Sequence, residues 1–334
     1  MAVSELVGAI LTRPSTGIEQ AAALLRRHWA IDGELRSMPS ERDRNFAVAV
    51  DGVDRFVLKI SNAGEDPGFL ELQHLVMRRL AAGGVPSPLP VAGRDGRETV
   101  DAGSPDAPQL VRLLTWLPGR PLATIPIADR PEALLADLGR TMARTVVALD
   151  GLDHPAAHRP FQWSAEDGSA VVATHAGAVT DRKRAALLGR WQRRLARLVA
   201  ILPDLRHGLI HNDANDHNVL VADDGASISG VLDLGDSTWS VTVNELAVAA
   251  AYAALDTPDP LATIETVRLG FEAVLRLEDR ERAILLELIA LRLATSVALS
   301  AHQARLDPDD AYLTVSEAPA WALLERLIAI EPEP

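Results

Sequence analysis

His211-Asn212-Asp213-Ala214-Asn215-Asp216-His217-Asn218 runs directly into Val219-Leu220-Val221, and Gly230-Val231-Leu232-Asp233-Leu234-Gly235-Asp236 follows closely. The apolar run 219–221, the turn Asp223-Asp224-Gly225 and the run Ile228 to Leu232 predict a β-hairpin. Folding that hairpin brings the residues at its two ends, Asn218 and Asp233, together, with Asp213 on the loop just before it. A carboxylate and two further side-chain oxygens on adjacent loops are the set that phosphoryl transfer from a nucleotide requires. The transferred group passes through a loose transition state with negative charge on its oxygens, so the protein mainly positions and neutralises. One carboxylate orients the acceptor hydroxyl and takes its proton, the role expected of Asp213. Magnesium is a hard cation held by one or two protein oxygens plus phosphate oxygens, the role expected of Asn218 and Asp233.

The spacing follows the template H-R-D-x-x-x-x-N with a later D-F-G, with other residues in the variable slots. On these motifs the chain resembles the aminoglycoside phosphotransferase and choline kinase superfamily of small-molecule kinases, and within it the hydroxylysine kinase-like branch. That family's loop usually reads H-G-D-x-x-x-x-N. Asn212 stands here for the glycine, and asparagine tolerates the left-handed backbone that glycine often serves. The second motif usually reads I-D-[FW]-G-D, and Leu232-Asp233-Leu234-Gly235-Asp236 matches it with leucine for the aromatic. The resemblance implies Asp213 as base, Asn218 and Asp233 on Mg2+, and ATP or GTP as phosphoryl donor.

Composition agrees with that class. At 334 residues, 48% hydrophobic and 24% charged, the chain can build one large domain or two sizeable cores. Cysteine is absent, which excludes disulfides, a thiol nucleophile and cysteine-bound metal. A net charge of -13 argues against a nucleic-acid partner, which needs a basic face, and suits a cationic or amino-containing small molecule. Residues 1–13 show no secretory signal, no stretch reads as a membrane span, and a cytoplasmic location is the expectation. His207, His211 and His217 invite a transition-metal reading, yet no H-E-x-x-H helix accompanies them, and His211 reads better as a ring bonded to nearby backbone that shapes the loop. The basic run Arg182-Lys183-Arg184 with Arg190, Arg193, Arg194 and Arg197 reads as a solvated face of an amphipathic helix around Leu187, Leu188, Trp191, Leu195 and Leu198.

Along the chain, Thr16-Gly17-Ile18-Glu19 predicts a capped helix to about His28. Strands are expected at 34–38, 45–50 and 56–60, with Asp51-Gly52 as the turn between the second and third. A helix from about Gly68 to Ala82 stops at Gly83-Gly84, and strands follow around 89–92 and 110–116. The remainder is mostly helical, with helices expected at 131–149, 181–202, 243–254, 261–275, 279–300 and 318–330. The pattern is α+β, a two-lobed protein-kinase-like fold: a small N-terminal nucleotide-binding lobe of antiparallel sheet plus helix, 1–117, and a larger, mainly helical catalytic and substrate-binding lobe, 118–334.

Lys59 is a charge within the apolar Phe56-Val57-Leu58-Lys59-Ile60, where a bare ammonium is costly to bury. Glu71, early in the next helix, is its expected partner, as in the Lys-Glu pair by which kinases position phosphates. The segment 40–46 holds the position of the phosphate-covering loop without any glycine; Ser40 and Asn45 are its candidate contacts, with Arg42 and Arg44 as added charge. Thr115 to Leu117, entering the turn Pro118-Gly119, resembles the family's hinge, whose backbone would bond the purine base. His154-Pro155-Ala156-Ala157-His158 with Phe161-Gln162-Trp163 resembles the hydroxylysine kinase-like branch and reads as a loop packing an aromatic anchor.

For the acceptor, Asp236 is close enough in sequence to the metal site to contact an ammonium group, with Asp216 and Glu245 as further candidates. Arg292, a charge on an apolar helix, pairs with an acid or binds a substrate carboxylate. No activation segment ending in A-P-E follows Asp233 and no G-x-x-x-x-G-K-[ST] occurs, which turns the reading from protein kinases and P-loop kinases to small-molecule kinases. The expectation is a kinase phosphorylating a hydroxyl of an amino-containing metabolite, hydroxylysine-like by preference. An aminoglycoside, choline or ethanolamine, or homoserine kinase, or a nucleotide-binding pseudokinase, are the alternatives. The oligomeric state is left open.

Overall fold

The computed structural model describes residues 14–40, 43–103, 109–306 and 317–330. The chain divides into two compact units. One contains residues up to Pro118 together with Gly230–Leu232; the other contains Gly119–Ser229 and the chain from Asp233 onward.

The first unit is built on an antiparallel sheet. Helix α1 (Ile18–Trp29) is followed by β1 (Glu34–Met38), β2 (Arg44–Val50) and β3 (Val53–Ile60), then by α2 (Pro67–Ala82) and the short strands β4 (Pro90–Val91), β5 (Thr99–Asp101) and β6 (Leu110–Thr115). The sheet order is β1-β2-β3-β6-β4, and β5 also pairs with β6. Asp51 and Gly52 both take positive φ, the mirror-image turn that matches strand twist. Phe46 faces Leu58 and Leu58 faces Leu113 across the strands, so one sheet face carries Phe46, Val48, Leu58, Ile60, Val111 and Leu113 against Ala21, Leu25 and Trp29 of α1. Period-two alternation sends the intervening residues to the other face, where Asn45, Lys59, Arg112 and Thr99 form one cross-strand row. Helix α1 starts one residue later than expected. Gly17 is its N-cap and the Gln20 side chain accepts from the Gly17 amide at 3.1 Å, while Thr16 is buried and its hydroxyl accepts from Gln109.

The second unit is mainly helical: β7 (Arg120–Pro121), α3 (Glu132–Leu149), α4 (Ala165–His175), α5 (Arg182–Leu195), α6 (Leu198–Ile201), β8 (His207–Ile210), β9 (Val219–Val221), β10 (Ile228–Val231), β11 (Thr238–Val241), α7 (Val243–Ala253), α8 (Pro260–Glu272), α9 (Asp279–Ala283), α10 (Leu285–Leu306) and α11 (Glu317–Ile330). Strand β10 runs on from this unit into Gly230 and Val231. Helices α3 and α8 cross through Gly139 and Gly270. A Cβ on Gly139 would collide with the Val267 carbonyl, and one on Gly270 with the Ala136 carbonyl.

Helix α4 lies between the helices expected at 131–149 and 181–202, in a stretch with no expected helix. Its signal is Ser164 three residues before Asp167: the Ser164 hydroxyl accepts from the Asp167 amide at 3.1 Å, and the Asp167 carboxylate accepts from the Phe161 amide at 2.9 Å. The helices expected at 181–202 and 279–300 are each broken, the second at Ile284 with neither proline nor glycine to announce it. The basic helix is not a solvated face throughout: Arg184 bonds Glu317 at 2.8 Å, and Arg194 and Arg197 both reach the buried Glu287. Helix α10, at 22 residues, is long and apolar enough to cross a membrane by length and composition, contrary to the expectation that no stretch is. Here it is the core helix of its unit, packed on α4, α5, α7 and α11, with 72% of its most apolar window buried.

Candidate active site

Strand β8 pairs antiparallel with β11, Ile210 opposite Thr238, and the loop 211–218 leaves the end of that ladder. Asn212 takes φ 66°, the left-handed conformation for which its side chain is suited. The turn is tied from below by Glu245 on the first turn of α7, whose Oε2 accepts from the amides of His211 at 2.8 Å and Asn212 at 3.1 Å. Asn244 Nδ2 donates to the Asn212 side-chain oxygen Oδ1 at 2.9 Å, and Asn212 Nδ2 donates to the backbone carbonyl of Trp163 at 3.2 Å. The His211 ring, fully buried, accepts from the Asp213 amide at 3.2 Å, the loop-shaping role expected of it.

That scaffold presents Asp213 with 17% of its side chain exposed. Oδ2 accepts from Asn218 Nδ2 at 2.7 Å and Asn215 Nδ2 at 3.0 Å, while Oδ1 accepts from Arg292 Nη2 at 2.8 Å. Burial pushes the Asp213 carboxyl well above the ordinary carboxylate range; nearby Asp236 adds to the effect and the Arg292 guanidinium opposes it. Arg292, on α10, is itself buried, its guanidinium 4.4 Å from the Trp163 ring centroid and 5.6 Å from that of Tyr252.

The hairpin forms as expected, β9 pairing with β10, with Asn218 before it and Asp233 after it. Donation of the Asn218 amide nitrogen to Asp213 leaves its carbonyl end for another partner. Asp233 is exposed, takes φ 53°, and caps a short 3-10 turn by accepting from the Gly235 amide at 3.1 Å. The carbonyls of Gly235 and Ser237 are held by Arg159, whose guanidinium stacks 4.6 Å from the Phe161 ring centroid. The segment 154–163 therefore has a role beyond an aromatic anchor. Arg159 holds the Asp233 turn, the Trp163 carbonyl holds Asn212, and the Trp163 ring supports Arg292.

Two acidic candidates for cation recognition are placed elsewhere. Glu245 is fully buried, with one carboxylate oxygen on backbone amides, so it builds the loop and does not meet a substrate. Asp216 faces Arg130 at 3.8 Å. Asp236 remains beside Asp213, as its electrostatic influence shows. His217 is exposed and His207 is bonded to the Leu205 carbonyl, so the three loop histidines do not converge.

In the other unit, Lys59 is half-buried in the row with Asn45 and Arg112. Among the described residues no ion pair or hydrogen bond joins it to Glu71. The buried stripe of α2 runs through Leu70, Gln73, His74 and Met77, which turns Glu71 outward onto a recess shared with His74, Arg78 and Glu98. Ser40 accepts from the Asp43 amide at 3.2 Å; Arg42 lies outside the described residues, and Arg44 bonds the Thr16 carbonyl. At the expected hinge the Thr115 amide is taken by the Leu89 carbonyl, its hydroxyl by the Leu89 amide, and the Trp116 amide by Arg55. Sequence reasoning missed Asn215, Asn244, Tyr252 and Arg112. Asn215 alone carried a signal, two residues past the candidate base.

An antiparallel-sheet unit and a mainly helical unit, with Asp213, Asn218 and Asp233 gathered around the β9–β10 hairpin, have the arrangement of a kinase-like phosphotransferase acting on a hydroxyl group. Residues 34–286 match the profile of the phosphotransferase enzyme family known as APH, and the chain belongs to that family. It is 30% identical over 344 residues to the hydroxylysine kinase of Bos taurus, covering 95% of this chain and 90% of that protein. Among solved structures it is similar to a microcompartment-associated aminopropanol kinase, with TM-score 0.71, 20% identity and coverage of 92% and 97% of the two chains. An aminoglycoside phosphotransferase in a ternary complex with ADP and hygromycin B is similar at TM-score 0.63 and 18% identity, with 93% and 98% covered. The protein is a small-molecule kinase of this family.

Proposed function

We propose that this kinase transfers the terminal phosphate of ATP or GTP to a hydroxyl of a hydroxylysine-like amino compound. The observation that carries the proposal is Asp213, whose carboxylate accepts from three side chains, Asn215, Asn218 and Arg292, and whose backbone amide donates to His211, just after a left-handed turn. Its carboxylate is immobilised and mostly withdrawn from water, as a positioned base requires. The acceptor hydroxyl gives its proton to Asp213 as its oxygen bonds to the terminal phosphorus and the bond to the departing nucleoside diphosphate breaks. The near full-length likeness to a hydroxylysine kinase supports the choice of acceptor.

Asn218 and Asp233 fit magnesium by their chemistry. Both offer side-chain oxygens as ligands, Asn218 is oriented by the hydrogen bond its Nδ2 donates to Asp213, and Asp233 caps its turn through Oδ1. Bound there, the ion neutralises charge on the phosphate oxygens. Lys59, Ser40, Asn45 and Leu117 are the groups we assign to the nucleotide, in residues 1–117, with 118–334 carrying catalysis and the acceptor. Replacing Asp213 by alanine should cut kcat by roughly 10²- to 10⁴-fold with hydroxylysine as acceptor while nucleotide binding persists. Near-native turnover in that variant would exclude Asp213 as the base.

A further inference from the structure

The hydrogen bonds around Asp213 specify more than a base. A carboxylate offers about four lone-pair sites, two on each oxygen. On Oδ2 both are taken, by Asn215 and Asn218, whereas Oδ1 has accepted only from Arg292. The acceptor hydroxyl is thereby directed to Oδ1, the oxygen that the Arg292 guanidinium already holds. An acceptor bound at Oδ1 thus lies against a buried cation.

That cation is incompletely used. Arg292 presents five N–H donors in a rigid fork. Its Nη2 bonds Asp213, the Tyr252 side chain is a further hydrogen-bond partner of the guanidinium, and its face lies against the Trp163 ring. Its Nε and Nη1 are buried and have no hydrogen-bond partner among the described residues. A buried donor without a partner is costly, and two on one guanidinium point to a missing anionic or polar group. Arg292 also lines a small recess together with Trp163, Ser164, Asn244 and Thr295. Asp236, whose charge acts on Asp213, supplies the opposite pole nearby.

We propose that Arg292 recognises the carboxylate of the acceptor, so that this kinase selects zwitterionic hydroxy amino acids over amino alcohols. The proposal rests on the small-molecule kinase reading above and narrows its acceptor. A bidentate guanidinium–carboxylate contact is geometrically selective, which a lone ammonium or hydroxyl cannot reproduce.

The test uses acceptor pairs that differ only by loss of carbon dioxide: 5-hydroxylysine with 1,5-diaminopentan-2-ol, homoserine with 3-aminopropan-1-ol, and threonine with 1-aminopropan-2-ol. Each is assayed with the wild type, Arg292→Gln and Arg292→Lys of the full chain, all checked for native far-ultraviolet circular dichroism. The wild type should prefer the amino acid of its best pair by roughly 10²-fold or more in kcat/KM, the scale on which sites built to bond a polar group reject its absence. Arg292→Gln should lose most of that preference, chiefly through a higher KM for the amino acid, and Arg292→Lys should restore part of it. Isothermal titration with the amino acid, read in the presence of a non-hydrolysable nucleotide, should show the same loss of binding. Equal loss for both members of a pair, with the preference kept, would assign Arg292 to positioning Asp213 alone and overturn the proposal. Turnover of the amino alcohols in preference to the amino acids would also overturn it while leaving the kinase reading intact. Turnover of no acceptor in any pair would remove both.

Discussion

Removing the Glu245 carboxylate should damage stability and catalysis together. Its Oε2 accepts from two amides, those of His211 and Asn212, and all three residues are fully buried. Glu245→Ala leaves both N–H groups unpaired at a cost of about 1–3 kcal/mol each, or roughly 2–6 kcal/mol in sum. Part of that is returned, because the carboxylate is itself poorly placed: burial pushes its pKa up, and Oε1 has no hydrogen-bond partner among the described residues. The expected net loss is about 2–4 kcal/mol. Without the two anchors the Asn212 backbone loses its hold on α7, only the side-chain bonds to Asn244 and Trp163 are left to keep it at φ 66°, and Asp213 is the next residue. A displacement of about 1 Å at a reacting group costs on the order of 10²-fold in rate. Glu245→Gln keeps the shape and one acceptor oxygen, so it should lose only about 1 kcal/mol per bond. Urea unfolding followed by circular dichroism and steady-state kcat with hydroxylysine, measured on all three proteins, test this. If Glu245→Ala unfolds within about 1 kcal/mol of the wild type, the two amides are not held as described. If it turns over at the native rate, the link from Glu245 to Asp213 fails.

Gly139→Ala should destabilise despite the higher helix propensity of alanine. The gain is at most about 1 kcal/mol, while forcing α3 and α8 apart costs roughly 1–3 kcal/mol or more. A higher thermal midpoint in that variant would show that the helices do not meet backbone to backbone there. His74 should make acid weaken the first unit. Burial, aided by Arg112 and opposed by Glu98, lowers its pKa to about 4. A histidine lowered in the folded state leaves stability intact above its unfolded pKa of about 6.5 and drains it as pH falls toward 4, by about 3 kcal/mol for this shift. Urea unfolding at pH 7 and pH 4 should therefore show the wild type losing about 3 kcal/mol more than His74→Gln. Parallel losses in the two proteins would show that His74 does not titrate in this way.

Much of the site was legible because its chemistry is local in sequence. Asp213, Asn218 and Asp233 sit at loop and hairpin ends that apolar runs and turn residues announce. The left-handed turn at Asn212 follows from the residue type, and the alternation in 45–60 and 110–115 sends Lys59 to the sheet face opposite α1. What sequence could not weigh was the geometry of a charge deep in the chain. Lys59 pointed to Glu71 by analogy, but which side of a helix a carboxylate takes depends on the stripe that packing buries. The buried stripe of α2 passes through Gln73 and His74 and leaves Glu71 outside. Glu245 read as a further candidate for recognising a cationic acceptor. In the fold it binds two backbone amides, and its position 32 residues beyond Asp213 gives no hint of that.

By itself the sequence determined the class of reaction: the candidate base Asp213, the candidate ligands Asn218 and Asp233 and their order along the chain are set by residue identity and short-range spacing, which elementary strand and turn rules convert into geometry. Tertiary structure alone decided what surrounds the base. Arg292 arrives on α10 from 79 residues away, Trp163 from before α4 and Tyr252 from α7. Those contacts arise from helix packing, where the angle and register of one helix on another depend on the whole buried surface and on no short motif. The contact proposed between Arg292 and the acceptor belongs to that second category.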